Sequence, residues 1–211
     1  MELKFSVIVP TYRDWDSLRQ CVESLAALDY PKDQYEVIIV NNDPDPTLPP
    51  DLELPDGFRI VHQSVPGSYA ARNAALKISR GMFIAFTDAD CQVDRNWLKN
   101  GEAAFTHQGV DRLAGKVEIF YRNPQRKTAV ELYEQVFAFD QEKNVRIYKA
   151  SITANLLVRR EAFDVVGHFD ERKRSGEDFG WNWRANEKGL LLGYAADVVV
   201  RHPARAHLRE I

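Results

Sequence analysis

Two aspartates that follow an apolar run are the residues of this sequence best suited to chemistry. Asp88 and Asp90 come directly after the run at residues 82–86 and Thr87, and Ala89 separates them. Such a run predicts a strand buried on both faces, and ligands of open α/β sheets bind at the carboxyl ends of strands. Paired carboxylates suit a hard cation such as Mg2+ or Mn2+, which in turn holds phosphate oxygens. A plain acidic turn after a core strand explains the two residues alone equally well.

A second acidic pair, Glu177 and Asp178, follows Gly176 at the predicted start of a helix. A carboxylate placed there can serve as a general base, although charge in a first helical turn is also common without any such role. The helix dipole would lower the pKa of the base and burial would raise it, and the sequence does not decide between them. Trp181 and Trp183 lie two residues apart, so only one of them faces inward.

The first half of the chain alternates between strand and helix patterns, and such an alternation would position these residues. Strand patterns at 5–9, 35–40, 58–61 and 82–86 alternate with helix patterns at 14–28, where Asp14 or Asp16 is the cap, and at 67–79. This βαβ series predicts a largely parallel sheet. Polar residues follow the first, second and fourth strands, so their ends should meet at one crevice.

The second half loses the βαβ rhythm. The patterns predict a helix capped by Asp94, a strand at 113–121, a helix at 128–139, a short helix at 160–166, a helix from Gly176 to Gly189 and a closing strand at 196–200. We expect one domain over residues 1–211, with nucleotide binding in about 1–110 and acceptor binding and catalysis in about 111–211.

Composition excludes several classes of protein. The chain has 211 residues and a net charge of −3, so it offers no global basic field for nucleic acid. Its two cysteines cannot build a disulfide framework, which favours a reducing, cytoplasmic location. No signal peptide and no apolar run of about 18 residues is present, so no transmembrane segment is expected.

Six segments give the sequence a family resemblance. They are SVIVPTYRDWDSLRQCVESL, YEVIIVNNDPD, PGSYAARNAALKISRG, FIAFTDADC, ITANLLVRREAFDVVGHFDE and GEDFGWNWRANEKG, in that order. Together they resemble the inverting nucleotide-sugar glycosyltransferases of family 2. The resemblance implies the GT-A fold, a Rossmann-like three-layer α/β/α sandwich with a mixed, mainly parallel sheet. It also implies metal-dependent transfer from a nucleotide-diphosphate sugar, with a UDP-sugar as the expected donor, to a glycan, lipid-linked or protein hydroxyl.

The resemblance also implies roles for individual residues. The nucleotide would be bound by Thr11, Tyr12, Asn41, Arg72 and Asp88. Mn2+ or Mg2+ would be bound by Asp90, with His202 as an additional ligand. Of the two tryptophans, we assign Trp181 as the platform for an acceptor sugar. Asp178 would be the base and Glu177 an acceptor contact. The two adjacent carboxylates could have exchanged roles. Asn41 departs from the family, which commonly has an aspartate there, so the identity of the nucleobase stays open.

Two other functions are weighed against this one. A sugar-1-phosphate nucleotidyltransferase needs a glycine-rich loop after its first strand, whereas this chain has PTYRDWDS there. A nucleotide-sugar-binding module without catalysis is supported by Asn41 alone. Members of the family commonly continue beyond the closing strand with helices that cover the acceptor site or dock on membranes. Since the chain ends at Ile211, soon after His202, we expect a minimal enzyme or a trimmed one, and peripheral membrane association stays open.

Overall fold

One mixed β-sheet runs through both halves of the chain. The computed structural model describes residues 3–121, 123 and 125–205. The strands are Phe5–Thr11 (β1), Tyr35–Asn41 (β2), Phe58–His62 (β3), Phe83–Phe86 (β4), Gln92–Val93 (β5), Arg112–Phe120 (β6), Leu156–Arg159 (β7) and Leu192–Pro203 (β8). Their order in the sheet is β3-β2-β1-β4-β7-β6-β8-β5.

The strand directions bring three carboxyl ends to one edge of the sheet. Strands β1, β2, β3 and β4 pair in parallel. Strand β7 is antiparallel to both β4 and β6, while β8 is parallel to β6. Two antiparallel steps restore the original direction, so β8 points the same way as β1 and β4. The ends of β1, β4 and β8 therefore share an edge, as ligand sites of such sheets require.

Helices lie on both faces of this sheet. They are Trp15–Ala26 (α1), Ser68–Leu76 (α2), Trp97–Gln108 (α3), Ala129–Phe137 (α4), Gln141–Lys143 (α5), Glu161–Val166 (α6) and Glu177–Glu187 (α7), with a π-helix at Asn144–Tyr148 and a 3-10 turn at Thr153–Asn155. None of the described helices is both long and apolar enough to cross a membrane.

The alternation of β1 shows how the layers form. Val7 and Val9 pack into a core shared with α1 and α3, whereas Ile8 packs into a second core shared with α2, α6 and α7. Successive side chains of a strand point to opposite faces, so an unbroken apolar run marks a strand covered by helices on both sides. The predicted mixed sheet in a three-layer α/β/α arrangement is confirmed.

Helix starts agree with the sequence in part. Asp14, not Asp16, caps α1, because its carboxylate accepts a hydrogen bond from the Ser17 amide at 3.2 Å. The predicted cap at Asp94 is wrong, since α3 begins after Asn96. The Asp94 side chain accepts from the Asn96 amide at 2.9 Å, so it shapes the turn that precedes the helix.

Two element lengths also differ from the prediction. Helix α2 ends at Leu76 instead of residue 79, and Ile78, expected on its inner face, is exposed. Strand β8 begins at Leu192 instead of residue 196, because residues 192–195 already pair with β6 before a register shift at Gly115 and Lys116. The start of β8 is set by its pairing with β6, which is distant in the sequence. The apolar pattern of β8 begins too late to show that start.

Candidate active site

A crevice of about 360 Å³ opens at the shared edge of the sheet. It lies where β1, β4 and β8 end and where α2 begins. Its lining residues are Pro10, Thr11, Tyr12, Asn42, Ser68, Arg72, Asp88, Asp90, His202 and Arg205. The sequence had predicted six of these as site residues, so its central expectation, that polar strand ends converge on one crevice, agrees with the structure.

A buried arginine holds one side of the crevice. Arg72 of α2 is almost fully buried, and its Nη2 donates to Asp88 Oδ1 at 2.5 Å. Within the described ranges, Arg72 Nε and Thr11 Oγ1 are both buried without a hydrogen-bond partner. Buried polar atoms are normally satisfied. These two atoms therefore suit a polar ligand that enters the crevice, such as a phosphate or a ribose.

Four possible metal ligands meet beside Arg72. Donor atoms of Asp88, Asp90, Cys91 and His202 all lie within 4.8 Å of one another. Burial raises the pKa of the Cys91 thiol well above its usual value, which keeps that group neutral. The two carboxylates and the imidazole remain, and oxygen and nitrogen ligands of this kind suit Mn2+.

His202 is oriented for such a role. Its Nδ1 lies 2.7 Å from the Pro203 carbonyl oxygen, an acceptor, so Nδ1 carries the proton. Nε2 then has a free lone pair and lies 3.6 Å from Asp90 Oδ2. The Phe139 ring packs on the imidazole at 4.2 Å and fixes its plane. A ring nitrogen locked to a backbone carbonyl is the arrangement that metal-binding histidines generally show.

The charge of Asp90 also favours a cation. Burial raises the pKa of this carboxyl, a protonated His202 would lower it and Asp88 raises it, and the net direction is upward. The protein alone therefore disfavours the ionised form of Asp90. A divalent cation among these ligands would stabilise that form.

Asp178 is the carboxylate of α7 that contacts helix α2, the helix that carries Arg72. Its Oδ1 accepts hydrogen bonds from the Phe179 amide at 3.0 Å and from the Tyr69 hydroxyl at 3.3 Å. Burial raises the pKa of Asp178; the Phe179 amide and Arg72 oppose this, and Asp88 reinforces it. Burial therefore has a larger effect on the pKa of Asp178 than the helix terminus has, which the sequence alone did not decide. A raised pKa makes the group a stronger base.

Glu177 faces away from the crevice. Its buried carboxylate accepts from Arg184 at 2.6 Å and from the Asp170 amide at 2.9 Å, and Lys173 lies 3.2 Å away. Burial opposes ionisation, but these partners hold the pKa of Glu177 below its usual value. The structure contradicts the predicted acceptor contact, because the carboxylate is inaccessible and its ion pairs with Arg184 and Lys173 hold α7 to the preceding loop.

The choice between the two tryptophans was also wrong. Trp181 is fully buried, packs on Phe163 at 4.7 Å and donates to the Gly167 carbonyl at 2.8 Å. It is therefore a core residue and no platform for a sugar. Trp183 is 50% exposed and donates to the Tyr148 carbonyl at 2.9 Å.

Substitution to alanine should separate the two side chains. We expect Trp181→Ala to lower the free energy of unfolding by about 3–5 kcal/mol, since a large cavity is left in the core. Trp183→Ala should lower it by about 1 kcal/mol or less, because one hydrogen bond and a half-exposed ring are lost. Urea denaturation measures both losses. Equal losses would contradict the assignment of Trp181 to the core.

Asn41 does not line the crevice. Its Oδ1 accepts from the Asp43 amide at 3.0 Å and its Nδ2 reaches the Asp45 carbonyl at 3.4 Å. The amide therefore shapes the loop after β2, and the predicted contact with the nucleotide is not formed by this side chain. Asn42 lines the crevice instead, and its Oδ1 accepts from the Gly67 amide at 2.7 Å.

Two residues of the site were not predicted from the sequence: Tyr69, which contacts Asp178, and Arg205, which lines the crevice. Tyr69 lies three residues before Arg72 on one helix face, so helical spacing could have found it. Arg205 carried no comparable signal. It lies beyond β8 and is placed by Glu134 of α4, whose carboxylate accepts from the Arg205 guanidinium at 2.9 Å. Contacts of that kind between distant segments are not visible in a local pattern.

Comparison with known families decides the identity. Residues 6–168 match the family described as Glycosyl transferase family 2. The chain belongs to glycosyl transferase family 2. This glycosyltransferase is 33% identical over 210 residues to Glycosyltransferase AglE of Haloferax volcanii, covering 95% of this chain and 67% of that one. The predicted family and enzyme class are confirmed.

Other relatives are longer than this glycosyltransferase. It is 27% identical to the Pre-mycofactocin glycosyltransferase of Mycobacterium tuberculosis, covering 97% of this chain and 44% of that protein. The structure of S. aureus TarS 1-349 in complex with UDP-GlcNAc superposes with a TM-score of 0.72 at 23% identity, covering 97% of this chain and 60% of that one. The mannosyltransferase PcManGT from Pyrobaculum calidifontis, in complex with GDP-Man and Mn2+, gives 0.68 at 19% identity, covering 96% and 57%. These likenesses establish the GT-A fold.

Proposed function

We propose that this glycosyltransferase inverts the configuration of the sugar that it transfers, with Asp178 as the general base and a divalent cation at Asp90 and His202. The donor is a nucleotide-diphosphate sugar, with a UDP-sugar preferred. One observation carries the proposal: Asp178, whose pKa burial raises, lies near enough to Arg72 and Asp88 for their charges to act on it. Asp178 is also linked to the crevice through Tyr69, which donates to its carboxylate and lies against Arg72.

The donor side is supported by the composition of the crevice. Arg72 presents a buried guanidinium with an unpaired Nε, and guanidinium groups suit phosphate oxygens. Thr11 offers an unpaired hydroxyl, and the exposed Tyr12 ring lies at the rim. Asp88 would contact the ribose hydroxyls. TarS with UDP-GlcNAc and PcManGT with GDP-Man are precedents for such donors in this fold, and UDP is the choice that we propose here.

The residues present also fit a metal ion. Asp90 and the Nε2 lone pair of His202 would hold Mn2+ or Mg2+, with Asp88 at its side. When bound, the cation acts as a Lewis acid that neutralises the departing diphosphate. The PcManGT complex contains Mn2+, which is a precedent for a divalent ion in this fold. The two ligands come from the two halves of the chain, one after β4 and the other at the end of β8.

The reaction that we propose is a single displacement. Asp178 removes the proton from an acceptor hydroxyl as that oxygen forms its bond to the anomeric carbon. The bond from that carbon to the diphosphate oxygen breaks on the opposite face, so the configuration inverts. Arg72 remains in contact with the nucleotide diphosphate. A positioned base of this kind contributes about 10²–10⁴-fold to the rate.

The proposal is least specific about the acceptor. A glycan, a lipid-linked or a protein hydroxyl would each satisfy the chemistry, and nucleic acid is not a partner on the ground of net charge. We retain a cytoplasmic location, with peripheral membrane association open. We also retain one domain, in which residues 1–110 bind the donor and residues 111–211 bind the acceptor.

A panel of nucleotide sugars in a thermal-shift assay tests the donor. We expect one nucleotide class to raise Tm when Mn2+ or Mg2+ is present and to lose this effect in EDTA. A ligand at 100 times its Kd should stabilise the fold by about 2.7 kcal/mol. Stabilisation by none of the panel would overturn the proposal. Stabilisation without turnover of the donor, with or without acceptors, would favour a binding module without catalysis.

A further inference from the structure

The amino-terminal end of α7 lacks a cap of its own. The residue before the helix is Gly176, which has no side chain and a φ of 73°. The first amides of a helix have no partner within the helix and must find one elsewhere. In α7 the partner comes from α2. The Tyr69 hydroxyl oxygen accepts from the Glu177 amide at 3.0 Å and from the Asp178 amide at 3.4 Å.

The same hydroxyl contacts the Asp178 side chain. It donates its proton to Asp178 Oδ1 at 3.3 Å. A tyrosine hydroxyl has one proton to donate and two lone pairs to accept with, and the three contacts use all of them. Burial and the charge of Asp178 raise the pKa of Tyr69, so this proton is retained at neutral pH.

The ring of Tyr69 is held as firmly as its hydroxyl. The side chain is only 5% exposed, and its ring packs on Phe169 at 5.7 Å between centroids. The Arg72 guanidinium also lies over the Tyr69 ring, 5.7 Å from its centroid. One rigid side chain therefore contacts both the arginine that pairs with Asp88 and the carboxylate of Asp178.

We propose that Tyr69 is a positioning residue, which fixes the start of α7 and the rotamer of Asp178 so that the base faces the reacting hydroxyl. This inference rests on the proposed role of Asp178. Tyr69 does not line the crevice. It acts through the base, since it supplies the cap that Gly176 cannot and, among the described residues, the hydrogen bond that Asp178 receives from another helix.

Tyr69→Phe is the test, because it removes only the hydroxyl and keeps the ring. We expect kcat to fall about 10-fold, the lower end for a lost hydrogen bond to a charged group. KM for the donor should stay unchanged. Tyr30→Phe is the matched control: Tyr30 is also buried and donates to a carboxylate, Glu102, at 2.8 Å on the other face of the sheet. Its kinetics should equal those of the parent.

The pH dependence of kcat/KM distinguishes the positioning role from a purely structural one, which would leave that dependence unchanged. The Tyr69 hydroxyl stabilises ionised Asp178, so its loss should move the acid limb of kcat/KM to higher pH. The other charges acting on Asp178 are Arg72, which favours ionisation, and Asp88, which opposes it; neither is changed by the substitution. A reduced kcat with an unmoved acid limb would overturn the positioning role.

A double-mutant cycle separates this inference from the proposed function. If Tyr69 acts through the base, Tyr69→Phe should cost nothing further in an Asp178→Asn background. The same loss in both backgrounds would overturn the inference while leaving Asp178 as the base. Full turnover by Asp178→Asn alone would instead overturn the base itself, before Tyr69 is changed. Thermal denaturation of every variant verifies that the protein is folded at the assay temperature.

Discussion

Asp178→Asn should bind the donor nearly as well as the parent enzyme and lose about 100-fold or more of its turnover. The amide keeps the shape of the side chain and still accepts from the Phe179 amide and the Tyr69 hydroxyl. It cannot take up a proton at neutral pH, and a general base contributes about 10²–10⁴-fold. The loss should fall on kcat and kcat/KM together, since the interaction is made only in the transition state. Steady-state kinetics and donor calorimetry measure the two parts.

The same substitution should stabilise the fold at neutral pH. Burial raises the folded-state pKa of Asp178 above 3.8, so the protonated form is the one that folding favours. The contribution of the parent side chain is fully present below the unfolded pKa and is lost as pH rises through the folded value. Asparagine is neutral throughout. Its advantage in Tm should therefore be largest at neutral pH and vanish near pH 4.

A different outcome would contradict this account of the base. If Asp178→Asn lost donor affinity together with turnover, the residue would bind the nucleotide and not the proton. If the variant were less stable than the parent at pH 7 and equally so at pH 4, the charge of Asp178 would not be costly in the folded state. Sites built for catalysis commonly carry such a cost in stability.

Asp90→Ala should abolish the cation-dependent part of nucleoside-diphosphate binding. Without this ligand the diphosphate charge in the crevice is left uncompensated, and removing one partner of a buried charged pair costs about 3 kcal/mol or more, or roughly 100-fold in affinity. Calorimetry with the diphosphate, with and without Mn2+, measures the difference. The control is Asp16→Ala, since Asp16 is an exposed carboxylate on α1 that pairs only with Arg19 among the described residues.

Two results would count against the metal site. Unchanged affinity of Asp90→Ala for the diphosphate, whether or not Mn2+ is added, would show that Asp90 holds no cation. An equal loss in Asp16→Ala would show that the effect arises from net charge. The expected pattern is that Mn2+ strengthens binding to the parent enzyme and to Asp16→Ala, and has little effect on Asp90→Ala.

Local pattern was sufficient to predict the crevice and six of the eight strands, but not β5 or β7. Runs such as FSVIV and YEVIIV are apolar on both faces, which is typical of strands covered by helices on both sides. Parallel strands must then end at one edge, which brings Thr11, Asp88 and Asp90 together without any knowledge of side-chain contacts. His202 joined them because β8 runs in the same direction, which follows from the antiparallel pairing of β7 with both β4 and β6 and the parallel pairing of β6 with β8.

The sequence could not show which side of a helix each residue lies on once the helix is packed. Glu177 and Asp178 are neighbours about 100° apart on α7, and only packing decides which one turns to the crevice. Arg184, two turns after Glu177, is the signal that could have indicated an ion pair on that face. The spacing of Trp181 and Trp183 required that one of them lie in the core, but it did not show which one. The Asn41 prediction failed because loop hydrogen bonds have no period.

The most direct test of the central claim compares the turnover of Asp178→Asn and Glu177→Gln at saturating donor and acceptor. The account predicts that Asp178→Asn is nearly inactive. Glu177→Gln, which weakens the pairs with Arg184 and Lys173, should lose stability yet keep most of its turnover below its Tm. An active Asp178→Asn enzyme beside an inactive, folded Glu177→Gln enzyme would contradict the claim and make Glu177 the base.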